Sequence, residues 1–297
     1  MYTAIGPEAL GIRGLALPQA IDLARAAGFA GLVFDVRAAA ALADEHGIAH
    51  VRDLFDRAGV RPAHWNLPVN WRQEEGWEAD LAALPRLAAV ARDLGAPRTA
   101  TYMPSGSDTR PYDENLEWHV DRLRRVAEIL KAEGCRLGLE YIGPKTFREQ
   151  FRYPFIHSLA ETRDLIAAIG TGNVGYMLDA WHLYAAGETV ADLAGIANAE
   201  VVVVHVNDAP AGIPLDEQID TVRALPTETG VIDLAAFMRA LRTIGYDGPV
   251  MPEPFSKRVN DLAATDPAAA AAEAARSMRA LWDLAGLAGA AETGAQS

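Results

Sequence analysis

The chain has 297 residues, half of them hydrophobic, enough for one large core and a length at which repeated β/α units close as a single domain. Forty acidic against 27 basic residues leave a net charge of −13, a field that repels a phosphate backbone and argues against nucleic acid as a partner. The single cysteine, Cys135, excludes an intramolecular disulfide framework and fits a reducing cytoplasm. Residues Met1 to Gly6 lack the basic segment and apolar run of a secretory signal, and no stretch approaches the roughly 18 uninterrupted apolar residues of a membrane span. The expectation is a soluble, cytoplasmic protein with no membrane partner.

Short apolar runs alternate with helical patterns from one end to the other. Strands are predicted near Ala4–Ile5, Gly31–Val36, Pro62–Asn66, Arg98–Met103, Arg136–Tyr141, Gly175–Asp179, Val201–Asn207 and Pro249–Glu253. Runs such as Val201-Val202-Val203-Val204 and Leu137-Gly138-Leu139 are apolar throughout, as strands covered on both faces are. Leu116, Val120, Leu123, Ala127 and Leu130 share one helical face, and so do Leu234, Phe237, Met238, Leu241 and Ile244, behind an expected N-cap at Asp233. Gly28, Gly59, Gly95, Gly134, Gly170 and Gly245 stand where helices should end before the next strand.

Eight strands with eight helices predict an α/β fold, a single (β/α)8 TIM barrel over residues 1–286, with 287–297 as a flexible tail. The competing architecture, an open doubly wound sheet, would want a glycine-rich phosphate loop, and none is present. The longest connections, Pro104–Pro111, Gly143–Phe155 and Asp208–Gly230, all follow strands, on the side where barrels carry their chemistry.

Polar residues break in abruptly where four apolar strands end: Glu140, Asp179, His205 and Glu253. A carboxylate at an apolar rim is costly unless it is paired, hydrogen-bonded or bound to metal. Singly, each has an ordinary explanation, such as a helix cap for Asp179 or a satisfied core histidine for His205. Together, from four adjacent strands, they predict three carboxylates and an imidazole around one divalent ion, with a donor mixture that suits Mn²⁺, Mg²⁺, Co²⁺ or Zn²⁺.

Glu140, Asp179-Ala180-Trp181-His182, His205-Val206-Asn207-Asp208-Ala209-Pro210 and Glu253-Pro254 resemble the xylose-isomerase-like sugar isomerase/epimerase superfamily, from strand one to the last helix. The resemblance implies that Glu140, Asp179, His205 and Glu253 hold the metal, with Mn²⁺ the leading ion. It implies that Glu140 and Glu253 also carry protons and that His182 touches substrate. It further implies an arginine on the loop after strand seven, here Arg223, gripping substrate oxygens, and a homodimer or homotetramer. The family's Pro-Gly-x-Gly turn is replaced by Pro226-Thr227-Glu228-Thr229-Gly230. Lys145 and His64 are added as candidate substrate contacts, Asp35, Asn66 and Tyr102 as residues that either line a pocket, pack or cap, and Trp65, Trp71 and Trp181 as residues that either wall a sugar ring or pack.

The expected activity is isomerisation or epimerisation of a small sugar-like carbonyl compound through proton abstraction and a metal-stabilised enediolate. The main alternative keeps the abstraction but expels a leaving group, giving a dehydratase or lyase on an inosose or 3-keto sugar. An endonuclease IV-like enzyme would want further metal ligands and a basic surface. A non-catalytic sugar-binding barrel would be expected to have lost a ligand.

Overall fold

The computed structural model describes residues 1–287. Eight parallel strands follow in chain order: β1 Tyr2–Ile5, β2 Gly31–Leu32, β3 in two short segments (Arg61–Pro62 and Trp65–Asn66), β4 Arg98–Met103, β5 Arg136–Tyr141, β6 Val174–Asp179, β7 Val201–Val206 and β8 Pro249–Pro252. Each pairs with its sequence neighbour, and β8 returns to β1 in register Tyr2 to Pro249. The ring closes through β3. Its first segment pairs with β2 and its second with β4, so the two ends of the hydrogen-bonded order belong to one continuous strand broken at Ala63–His64. The TIM barrel expected from the sequence is the fold observed.

The all-apolar runs lie where a barrel needs them. Every residue of Val174–Asp179 and of Val201–Val206 is buried, because these strands face the barrel interior on one side and the helical layer on the other. The helix Leu234–Ile244 begins at Asp233, whose carboxylate accepts the Ala236 N–H, and the helix Leu159–Ile169 begins at Ser158 in the same manner. All six expected cap glycines have positive φ.

Two boundaries differ from expectation. Strand two stops at Leu32 instead of Val36, because the Asp35 carboxylate accepts the Arg37 N–H and starts the helix Val36–His46. After β6 the α-helix is a short stretch of six residues, Ala180–Ala185, followed by 3-10 turns at Val190–Leu193 and Asn198–Glu200. The proposed tail, 287–297, lies outside the described residues except for Leu287, which is buried. No helix among the described residues is long and apolar enough to cross a membrane.

Candidate metal centre and active site

Because all eight strands run the same way, their C-terminal ends open on one mouth. Glu140 is the last residue but one of β5, Asp179 ends β6, His205 is the last but one of β7, and Glu253 follows β8 directly. Each contributes one potential ligand atom, and these atoms lie within 4.8 Å of one another. His205 Nδ1 stands 3.4 Å from Glu253 Oε2 and 3.8 Å from Glu140 Oε1. Neither ring nitrogen of buried His205 makes a hydrogen bond, and neither does Glu140 Oε1. Buried polar atoms are almost always satisfied, so an unpartnered Glu140 Oε1 beside an unpartnered His205 fits a cation there.

The charges agree. Burial, reinforced by Glu253 and Asp179, pushes the Glu140 carboxyl well above the usual carboxylate range. Burial also opposes ionisation of Asp179, but the Arg223 guanidinium, His182 and His205 outweigh it and hold Asp179 down to about 2. With Asp220, four carboxylates face one guanidinium, an excess of negative charge that a divalent ion would reduce.

Arg223 is the second organising feature. Its Nη1 donates to Asp179 Oδ2 at 2.7 Å and to Glu253 Oε2 at 3.3 Å. Its other nitrogens donate to the Asp220 carboxylate and carbonyl, both at 2.8 Å. The guanidinium lies between the rings of Trp181 and Phe255, 4.6 and 4.8 Å from their centroids. His182 completes the group. Its Nδ1 lies 3.2 Å from the Gly143 nitrogen, and its Nε2 lies 3.1 Å from Arg223 Nη2 and 3.6 Å from Asp220 Oδ1. Burial, together with Arg223, keeps His182 neutral, with its pKa lowered to about 4. Gly143 has no alternative here: a Cβ at that position would stand 2.3 Å from the His182 carbonyl oxygen.

Residues 21–281 match the family model described as the xylose isomerase-like TIM barrel. The chain belongs to that family. A solved xylose isomerase domain protein from Alicyclobacillus acidocaldarius is similar at 32% identity and a TM-score of 0.84, over 96% of this chain and 99% of that one. An inosose isomerase from Bacillus velezensis is 24% identical over 228 residues, 75% of this chain and 77% of its own. The IolI protein, solved with a bound zinc atom, has the same fold with a TM-score of 0.75 at 20% identity, covering 96% of this chain and 98% of that one.

In this xylose isomerase-like barrel the other sequence candidates are distributed unevenly. His64 is buried beside the centre, its ring centroid 6.1 Å from that of His205 and its Nδ1 without a partner. Lys145 is partly exposed, with its amine on Asp216 at 2.8 Å, and would reach a substrate only by leaving that partner. Trp65 and Trp71 are fully buried, their N–H groups on the Ala96 carbonyl and the Thr101 hydroxyl. Trp181 walls Arg223. Tyr102 is exposed, under the Arg72 guanidinium.

Three functional supports escaped the sequence reading, although two sat inside a quoted motif. Asn207 touches both Asp179 and Glu253. Asp208 accepts N–H groups from Ala209, Thr229, Gly230 and Ile232, and so ties down the unusual Pro226–Gly230 turn that follows Arg223. Asp220 positions Arg223. The available signal was three polar residues within four positions, 205, 207 and 208, after four valines; which neighbours they serve depends on strand order.

Proposed function

We propose that this barrel is a divalent-metal-dependent isomerase or epimerase of a small sugar or polyol-derived carbonyl compound. The observation that carries the reading is the convergence of Glu140, Asp179, His205 and Glu253 within 4.8 Å, with both nitrogens of buried His205 unpartnered. These four residues would hold the ion. Mn²⁺ is the first candidate, while Mg²⁺, Co²⁺ and Zn²⁺ suit the same donors. Bound there, a divalent ion would polarise a substrate carbonyl and make the neighbouring C–H more acidic.

The chain's own groups do the rest. Glu140 and Glu253 come from strands on either side of β6 and β7, so their carboxylates approach the mouth from two directions. One takes the proton from the carbon beside the carbonyl, and the other returns one. Return to the opposite face inverts the centre; return to the neighbouring carbon interconverts aldose and ketose. His182 and Arg223 contact substrate oxygens, and the positive guanidinium favours negative charge as it builds on them. His64 lines the same wall. The inosose isomerase relatives make cyclic polyol ketones the first compounds to try, and a cytoplasmic homodimer or homotetramer is the expected setting.

Gently purified protein should carry one divalent ion per chain, and EDTA should abolish turnover across a panel of inososes and ketoses. In D₂O, the product should gain deuterium on the carbon next to the carbonyl. A metal-free preparation with full activity would overturn the reading. An unsaturated product in place of an isomer would assign the site to a dehydratase or lyase.

A further inference from the structure

The stretch Pro252-Glu253-Pro254 lies where β8 ends. Neither proline has an N–H, so the Glu253 N–H is the one backbone donor of the three residues. Its acceptor is a side chain: Asn207 Oδ1, at 2.6 Å. That bond also orients the amide. With the oxygen committed to Glu253, the Asn207 NH₂ faces Asp179, 3.3 Å from Oδ2 and 3.5 Å from Oδ1. Asn207 follows β7, the strand between β6 and β8, and is completely buried. From that central position one short side chain reaches a candidate ligand on each side.

We propose that Asn207 is the positioning residue of the metal centre, holding Asp179 and Glu253 in coordinating geometry at the same time. The inference rests on the metal reading above. A carboxylate free to turn about its last torsion presents either of two oxygens in any plane. The plane of Asp179 is set by three outer contacts: the Trp181 N–H on Oδ1 at 2.7 Å, Arg223 on Oδ2, and the Asn207 amide across both. The Glu253 carboxylate meets Arg223 at 3.3 Å, while its backbone N–H is held by Asn207, and the next residue but one, Phe255, has a positive φ of 38°. The end of β8 therefore turns sharply just past a ligand, and Asn207 is what anchors it. Removing groups that orient ligands typically weakens metal affinity 10- to 100-fold.

The test uses Co²⁺ as the probe, on metal-stripped full-length protein. Asn207→Leu keeps the side chain's size and removes both contacts; Asn207→Ser serves in the same way if the leucine variant does not fold. Calorimetric titration should give a Co²⁺ affinity lower by 10- to 100-fold than wild type. At saturating Co²⁺ the visible d–d absorption should differ from wild type, because two carboxylates have reoriented. A folded variant with wild-type Co²⁺ affinity and an unchanged spectrum, even with a lower Tm, would overturn the inference and leave Asn207 as a structural filler. If wild-type protein itself takes up no Co²⁺, the metal reading falls, and the positioning role falls with it.

Discussion

At the scale of single residues, what distinguishes the mouth is charge that the protein alone does not balance. Asp179 is held ionised by Arg223, while Glu140, buried and near two like charges, resists ionisation. The proposed division of labour makes Glu140 and Glu253 both ligands and proton carriers. Glutamine keeps a coordinating oxygen but cannot accept a proton. Glu140→Gln and Glu253→Gln should therefore weaken metal binding only in part, and with excess metal restored should still turn over about 10²- to 10⁴-fold more slowly. Steady-state kinetics at saturating metal checks this; recovery of full rate in both would reduce the pair to ligands. His205→Ala should lose the ion, whereas His182→Ala should keep it and change kcat or KM. Elemental analysis of the two variants separates the roles, since His182 is bonded to Gly143 and faces Arg223 without pointing an orphan nitrogen at the centre.

At the scale of elements, the proposed reading takes the candidate ligands from strand ends and the candidate substrate contacts from loops. Residues Gly106–Ser107 pair with Tyr153–Pro154, joining the loops after β4 and β5. The Thr146 hydroxyl donates to the Gln218 carbonyl, and Lys145 pairs with Asp216, joining the loops after β5 and β7. The strongest of these loop supports is Asp208, fully buried and accepting four N–H groups from 209–232. Hydrogen bonds to charged groups contribute about 1.5–3 kcal/mol each, and their loss is only partly additive. Asp208→Ala should cost about 3 kcal/mol or more in urea unfolding, and the surviving folded protein should show a raised KM because Arg223 loses its support. A KM equal to wild type would show that Arg223 is held by Asp220 and its aromatic neighbours alone.

Over the whole molecule, closure through a split third strand leaves histidines buried in a chain that is otherwise strongly acidic. Burial pushes His119 down to about 4 despite its hydrogen bond to the Asn115 carbonyl, and pushes His64 well below its usual range. His182 is lowered to about 4 as well. A base whose pKa is depressed in the folded state favours folding fully above its unfolded value near 6.5. That contribution is lost as pH falls toward about 4, because the unfolded chain takes up protons the folded chain refuses. A histidine lowered to about 4, as His119 is, should cost roughly 2 kcal/mol of stability between pH 7 and pH 5. Urea midpoints over that range should fall, and His119→Leu, remote from the metal ligands, should flatten its share of the slope. An unchanged slope in that variant would mean that His119 is protonated in the folded protein.

Most of the architecture was legible in the sequence because it depends on local periodicity. Apolar strands buried on both faces, helices with one apolar stripe, and polar residues ending four strands are properties of short segments, and all appear in the structure at or near their expected places. The site candidates at strand ends could be located for the same reason: parallel strands of one ring must deliver their C-terminal residues to one mouth. Other features had no local signature. That Trp181 walls Arg223 and that Lys145 is engaged by Asp216 both follow from which partner lies nearest in space. Asn207 is the clearest case. Its residue type and its place after four valines were visible, but its reach to Asp179 on one side and Glu253 on the other exists because strand pairing sets β7 between β6 and β8, which periodicity along the chain does not encode.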